Sequence, residues 1–224
     1  MTFSLCARCP ESGMLGMAVS SSSPAVAARC AYARAGVGAV ASQNITDPKL
    51  GPLTLDMMIT GADARKALGA VVAATPNSEY RQLIAIDAQG VTAGFSGKHT
   101  LGVNALAEGR DVVAAGNLLA NDGVPAAMVA AFEGAEGHFG DRLIAAMKGG
   151  LAAGGEAGPV HSAGLLIVRE VEWPVADLRV DWQESDPIGA LADLWDLYKP
   201  QLEDYVTRAL DPTKAPSYGV AGDE

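Results

Sequence analysis

Histidine, cysteine, aromatic side chains and positive charge are all scarce in this 224-residue chain. Its three histidines, His99, His138 and His161, show no H-x-x-x-H or other ligand spacing, so each reads as a surface or hydrogen-bonded residue. Three cysteines are too few for a disulfide framework in a chain this long. Cys6 and Cys9 form a C-x-x-C, but it sits in a strand pattern running into the turn PESG, with no second ligand pair and no nearby His, so neither metal nor redox use is expected. Lys and Arg number 16 against 26 Asp and Glu, a formal net charge of -10, and the basic residues are scattered, which argues against nucleic acid as a partner. No apolar run reaches the roughly 18 residues of a membrane span. The amino terminus also lacks the basic-then-apolar pattern of a signal peptide, so a cytoplasmic protein without a membrane partner is expected.

What remains is a globular composition, 49% hydrophobic and 19% charged. TFSLCARC alternates as a strand does, ESG is a turn and MLGMAVSSSS reads as a second strand, together a hairpin. PAVAARCAYARA is helical or irregular, and GVGAVASQ is the third strand. LGPLTLDMMITG and ADARKALGAVVAAT read as two helices parted by Gly61. YRQLIAID and VTAGFSG make a second hairpin around Gly90, and DVVAAGNLLA adds a strand. GVPAAMVAAFEGA and HFGDRLIAAMKGGLAAGG are helical, HSAGLLIVREVEWPVADLRVDW holds two strands, and a long helical region starts at the N-cap Asp186.

Direct hairpins mean antiparallel pairing, and strands apolar on both parities, such as LIAI and GLLIV, mean sheets covered on both faces. These features predict an α+β fold: a four-layer αββα sandwich with two mainly antiparallel sheets in a single domain over 1–210, followed by a mobile tail over 211–224. Ile188, Leu191, Trp195, Tyr198, Leu202, Tyr205 and Ala209 fall on one helical face, broken by Pro200, and the aromatic part of that stripe is a candidate homodimer interface.

Familiar motifs fail on context. GVGAVA, from Gly36 to Ala41, fits G-x-G-x-x-A with Asp56 beyond it, but no helix opens within its glycines, so no nucleotide cofactor is expected. GFSG around Ser96 and VHSAG around Ser162 approach the G-x-S-x-G elbow, with Lys98 and Val160 where glycine is required.

The opening MTFSLCARC carries a different signal. Removal of an initiator Met makes Thr2 the first residue, a hydroxyl with its own amine base beside it at the start of a strand. In an antiparallel hairpin the end of strand two lies opposite the start of strand one, which brings Ser20 to Ser22 next to Thr2. The end of the third strand, Ser42, Gln43 and Asn44, is the other polar strand end.

The stretch from MTFSLCARC through SSSS and ASQNITDPKLGPLTLDMM, with QLIAIDAQGVTAGFSG, AGNLLA, HSAGLLIV and WPVADLRVD followed by DPI, resembles a widespread bacterial family, the domain of unknown function numbered ten-twenty-eight. That family is grouped with the N-terminal nucleophile (Ntn) hydrolases. The resemblance implies an Ntn-hydrolase-like fold and an amidohydrolase acting on a small amide or peptide-like substrate, without a cofactor. Thr2 would be nucleophile and base, Ser20 and Ser21 would orient the amine, and Ser22, Ser42, Gln43 and Asn44 would hold substrate or oxyanion, with Asn117 and Ser162 as further candidates. Where the family often carries a basic residue after the Ser, this chain has Ser22, and its nearest basic residues are Arg29 and Arg34. The alternatives are a non-catalytic small-ligand-binding protein on the same fold and an oligomeric scaffold. A retained Met1 converts the Thr2 amine to an amide and favours binding alone.

Overall fold

The computed structural model describes residues 1–222, so the final two residues of the tail expected over 211–224 lie outside the described residues. The first hairpin is β1 (Thr2–Arg8) and β2 (Leu15–Ser21), turning at Gly13, whose φ of 70° is one that L side chains rarely adopt. A single helical turn, α1 (Ala27–Cys30), runs straight into a strand, β3 (Ala31–Arg34). The alanines of PAVAARCAYARA suggest helix, but Ala31 to Arg34 find hydrogen-bonding partners in Ala41 to Gly38 of β4 (Gly38–Asn44), and tertiary pairing overrides local propensity.

Two helices follow, α2 (Leu50–Ile59) and α3 (Ala64–Ala74), the second capped by Asp63, which accepts from the Lys66 N–H. The hairpin of β5 (Arg81–Asp87) and β6 (Thr92–Ser96) matches the sequence pattern. A strand that the pattern does not reveal, β7 (Ala105–Gly109), is a half-exposed edge strand paired with β8 (Val112–Asn117). Then come α4 (Val124–Gly134), α5 (Phe139–Ala152) with a capping box between His138 and Asp141, β9 (Ser162–Val168) and β10 (Ala176–Val180). Asp186 caps α6 (Pro187–Tyr198) by accepting from the Gly189 N–H at 2.8 Å. Pro200 falls in a 3₁₀ turn, so the C-terminal region is two successive helices, α6 and α7 (Leu202–Leu210).

Among the described residues the strands form two sheets, a six-stranded one ordered β10-β9-β2-β1-β8-β7 and a four-stranded one ordered β3-β4-β5-β6, with every pairing antiparallel. Alternation along each strand then builds three apolar layers. Cys6, Met17, Val19, Ala41, Ile84, Ile86, Val113 and Ala115 fill the space between the sheets. Phe3, Leu5, Ala18 and Leu165 pack on the outer side of the large sheet against Met128, Phe132, Leu143 and Trp195 from α4, α5 and α6. Val40, Leu83 and Ala85 pack on the outer side of the small sheet against Leu55, Leu68 and Val71 from α2 and α3. The result is an α+β sandwich with helices outside both sheets. The stripe through Ile188, Leu191, Trp195 and Leu202 is buried on the chain's own core, while Tyr205 stays exposed and stacks on Tyr198. After α7 the chain folds back, with the Arg208 guanidinium 3.8 Å from the Tyr218 ring centre.

Candidate active site

β1 lies at the centre of the large sheet, between β2 and β8, and its first residue marks one end of the sandwich. Register places Thr2 opposite Asn117 of β8. Extending the β1–β2 pairing of Phe3 with Ser20 by one step puts Thr2 beside Ser21, which itself pairs with Ser162 of β9. Directly paired residues in an antiparallel sheet project to the same face. A polar row therefore runs across four strands, Ser162–Ser21–Thr2–Asn117, on the face that Cys6, Met17 and Val113 show to be the inter-sheet side. All four are buried, Thr2 at 6% exposure. Ser20 has the opposite parity: it shares the helix side of the sheet with Ala18, and its hydroxyl donates to the Ser162 carbonyl at 2.9 Å. Ser20 and Ser21 are thus divided by one-residue alternation, and Ser20 does not face Thr2.

Beneath Thr2 lies a chain of amides from three different strands, β4, β5 and β8. Ser4 Oγ donates to Gln43 Oε1 at 2.6 Å, Gln43 Nε2 donates to Gln82 Oε1 at 2.8 Å, and Asn117 Nδ2 donates to the same oxygen at 3.1 Å. Gln82 Nε2 donates to the Gly116 carbonyl at 3.0 Å and to Ser96 Oγ at 2.9 Å. A backbone carbonyl can only accept, so Gly116 fixes which end of the Gln82 amide faces it, and every other amide in the chain is oriented in turn. Asn117 consequently turns its Nδ2 toward Gln82 and leaves Oδ1 for another partner. Ser4 and Gln82 have one readable signal: each is a polar residue at an inward parity of an otherwise apolar strand.

Of the residues at the end of β4, the strand the sequence pattern counts third, Gln43 alone turns inward. Ser42 donates to the Asp47 carbonyl at 2.9 Å, and Asn44, at a φ of 74°, bridges the Tyr80 carbonyl and the Leu101 N–H. Both brace the loop after β4 and do not share the Thr2 row.

Met1 covers the row's open edge. Its carbonyl oxygen accepts from both Thr2 Oγ1 and Ser21 Oγ, and the Ser23 N–H fixes Ser21 by donating to its Oγ at 3.0 Å. Beside the terminus is a residue that no motif indicated, Glu156, at 4% exposure. It is carried by the Gly-rich loop after α5, where Gly154 and Gly155 take φ of 121° and 58° and let the chain double back to bridge Leu119. The Ser22 N–H is shared between its carboxylate oxygens at 3.2 and 3.1 Å. Burial pushes the Glu156 carboxyl up to about 7, opposed by the positive charge of the chain's amino terminus and by the Ser22 hydrogen bonds. A lone Glu between glycines was the available signal for it. Ser162 closes the far end of the row, its hydroxyl donating to the Ser23 carbonyl at 2.6 Å and accepting from the Val26 N–H. Among the described residues no cluster of His, Cys, Asp and Glu could hold a metal ion, and no helix is long and apolar enough to cross a membrane.

A family model described as a family of unknown function, DUF1028, matches residues 2–191. The chain belongs to the DUF1028 family. A crystal structure of a DUF1028 protein from Silicibacter pomeroyi is 29% identical, covers 91% of this chain and 89% of its own, and superimposes with a TM-score of 0.85. A second solved structure, Anbu (ancestral beta-subunit) from Yersinia bercovieri, is 11% identical over 97% of this chain and 100% of its own, at a TM-score of 0.38, too low to show a shared fold. Comparison with curated proteins finds no match.

Proposed function

We propose that this DUF1028 chain is an amidohydrolase of N-terminal nucleophile type, acting on a small amide or peptide-like substrate with Thr2 as nucleophile. The observation that carries the reading is the placement of Thr2. Its hydroxyl sits at the first position of a central strand, buried between two antiparallel sheets, with a second hydroxyl from Ser21 aimed at the same carbonyl oxygen. The layering of helices outside two antiparallel sheets is also the one that the Ntn reading requires. Opening the Met1–Thr2 bond leaves an α-amine two bonds from the Cβ that bears this hydroxyl, with an ordinary pKa near ~8 that suits a base at neutral pH.

The amine takes the proton of Thr2 Oγ1 as that oxygen attacks the amide carbonyl. Ser21 Oγ, held by the Ser23 N–H, donates to the oxyanion that develops. The C–N bond then breaks, the leaving amine carries off the proton, and water hydrolyses the ester with the Thr2 amine again as base. Asn117 Oδ1, left over once its Nδ2 donates to Gln82, accepts from the Thr2 amine or a substrate N–H. Intact-mass analysis paired with an amide library read by mass spectrometry tests the reading. Turnover is expected to track the fraction of chains that begin at Thr2, and equal turnover by chains that keep Met1 would overturn it in favour of a binding protein or of another nucleophile.

A further inference from the structure

Met1 lies in this corner as a ligand would. Its carbonyl oxygen is held by two hydroxyls, Thr2 Oγ1 and Ser21 Oγ. Its ammonium charge acts on the buried carboxyl of Glu156. Its side chain runs along Gly158, so that a Cβ added there would stand 3.5 Å from Met1 Cε and 3.9 Å from Sδ. Met1 is itself 37% exposed, so the place it fills opens to solvent. Carbonyl, ammonium and side chain are the three features of an α-amino acyl group: here the carbonyl and the side chain are in contact with the protein, and the ammonium faces the field of Glu156 without forming an ion pair with it.

We infer that the space Met1 fills is an acyl subsite for substrates with a free α-amine, namely an α-amino acid amide or the first residue of a peptide, with Glu156 as the recognition group for the ammonium. Once Met1 is gone, an incoming acyl group of this kind sits in the same place, moved outward by the difference between a bond and a contact. Its carbonyl carbon is then within reach of Thr2 Oγ1, and Ser21 still donates to its oxygen. Glu156 binds the ammonium through charge and through the geometry imposed by the Ser22 N–H, and an N-acylated substrate brings no positive charge to that carboxyl. The proposal depends on the amidohydrolase reading for turnover alone. The overall conversion is an α-amino acid amide and water to an amino acid and an amine, with the hydroxide of water ending on the acyl carbon and its proton on the leaving amine.

The test uses protein beginning at Thr2, verified by intact mass, with L-methionine amide and N-acetyl-L-methionine amide as probes. L-methionine amide is expected to be hydrolysed and its acetylated counterpart not. Glu156→Gln should raise KM for the former about tenfold or more with kcat changed less, the loss expected for one charge-assisted contact. Gly158→Val, at a position with ordinary backbone geometry, should raise KM for L-methionine amide and leave glycine amide unaffected. Equal turnover of the acetylated amide, or a Glu156→Gln protein with unchanged KM, would overturn the subsite while sparing the amidohydrolase reading. If no amide is hydrolysed, that reading fails by itself, and calorimetric titration of the Thr2→Val protein decides the subsite. Saturable binding of L-methionine amide that Glu156→Gln removes supports it, and no binding overturns it. Circular dichroism melts of each variant separate these outcomes from misfolding.

Discussion

Thr2 Oγ1 and Cγ2 are nearly the same size, so Thr2→Val changes the chemistry of the site with little change in its shape. We expect Thr2→Val to abolish turnover and Thr2→Ser to keep part of it, while the thermal midpoint of both stays close to that of the parent, measured by amide turnover alongside a melting curve. Glu156 allows a prediction with a sign. Its carboxyl is raised from 4.5 to about 7 in the fold, so the protonated form is favoured there and the stability it contributes is present below about pH 4.5 and lost as pH rises to about 7. In chains that keep Met1, Glu156→Gln should therefore gain on the parent by roughly 1–3 kcal/mol between pH 4.5 and pH 8. Urea unfolding at the two pH values measures it, and a difference independent of pH would refute the assignment. Gln82→Met should cost about 3 kcal/mol, because it leaves the amide nitrogens of Gln43 and Asn117 buried without their shared acceptor. The same substitution in a strand position facing solvent would cost almost nothing.

Elements were legible in the sequence where one face alternates cleanly and a turn signal closes the run. The β1–β2 and β5–β6 hairpins, α3 after the break at Gly61 and the break at Pro200 are all of this kind. β3 and β7 were not, because each is a short edge strand of mostly small residues held by one neighbour, and nothing local records that neighbour. The same rule governs the site. Hairpin pairing brings Ser20 to Ser22 near Thr2 in the sequence, but the parity that separates Ser21 from Ser20, and the β2–β9 pairing that brings in Ser162, come from the structure. The bonds joining Ser4, Gln43 and Gln82 depend on how one sheet lies over the other, and the place of Glu156 depends on a loop doubling back to Leu119, neither of which a single strand encodes. Two glycines test the packing of elements directly. In β2, Gly16 leaves no room for a side chain, since a Cβ would stand 2.5 Å from the Leu166 carbonyl oxygen and 3.1 Å from the Phe139 ring. Gly16→Ala should destabilise by about 2–3 kcal/mol. Gly69 in α3 has nothing within 4 Å, so Gly69→Ala should stabilise by roughly 0.5–1 kcal/mol. Chemical denaturation of both variants checks the contrast.

At the scale of the whole molecule, three apolar layers share their strands, so the outer layer of each sheet is tied to the other through the layer between them. Phe3 and Cys6, from one strand, belong to different layers. Calorimetry should accordingly record one unfolding transition whose calorimetric and van't Hoff enthalpies agree, and two resolved transitions would show that the layers melt separately. The large sheet also has a directional consequence for handling the protein. Its central strand begins with Thr2, hemmed in by a neighbour on either side, so any affinity tag or reporter fused ahead of that residue must leave through the mouth of the sandwich and occupy it on the way. Fusion at the other end, beyond residues that lie exposed after α7, leaves the corner untouched. On the amidohydrolase reading, a preparation tagged in front and left uncleaved is expected to be inert because its Thr2 nitrogen stays in a peptide bond, so the position of the tag is itself a test of that reading.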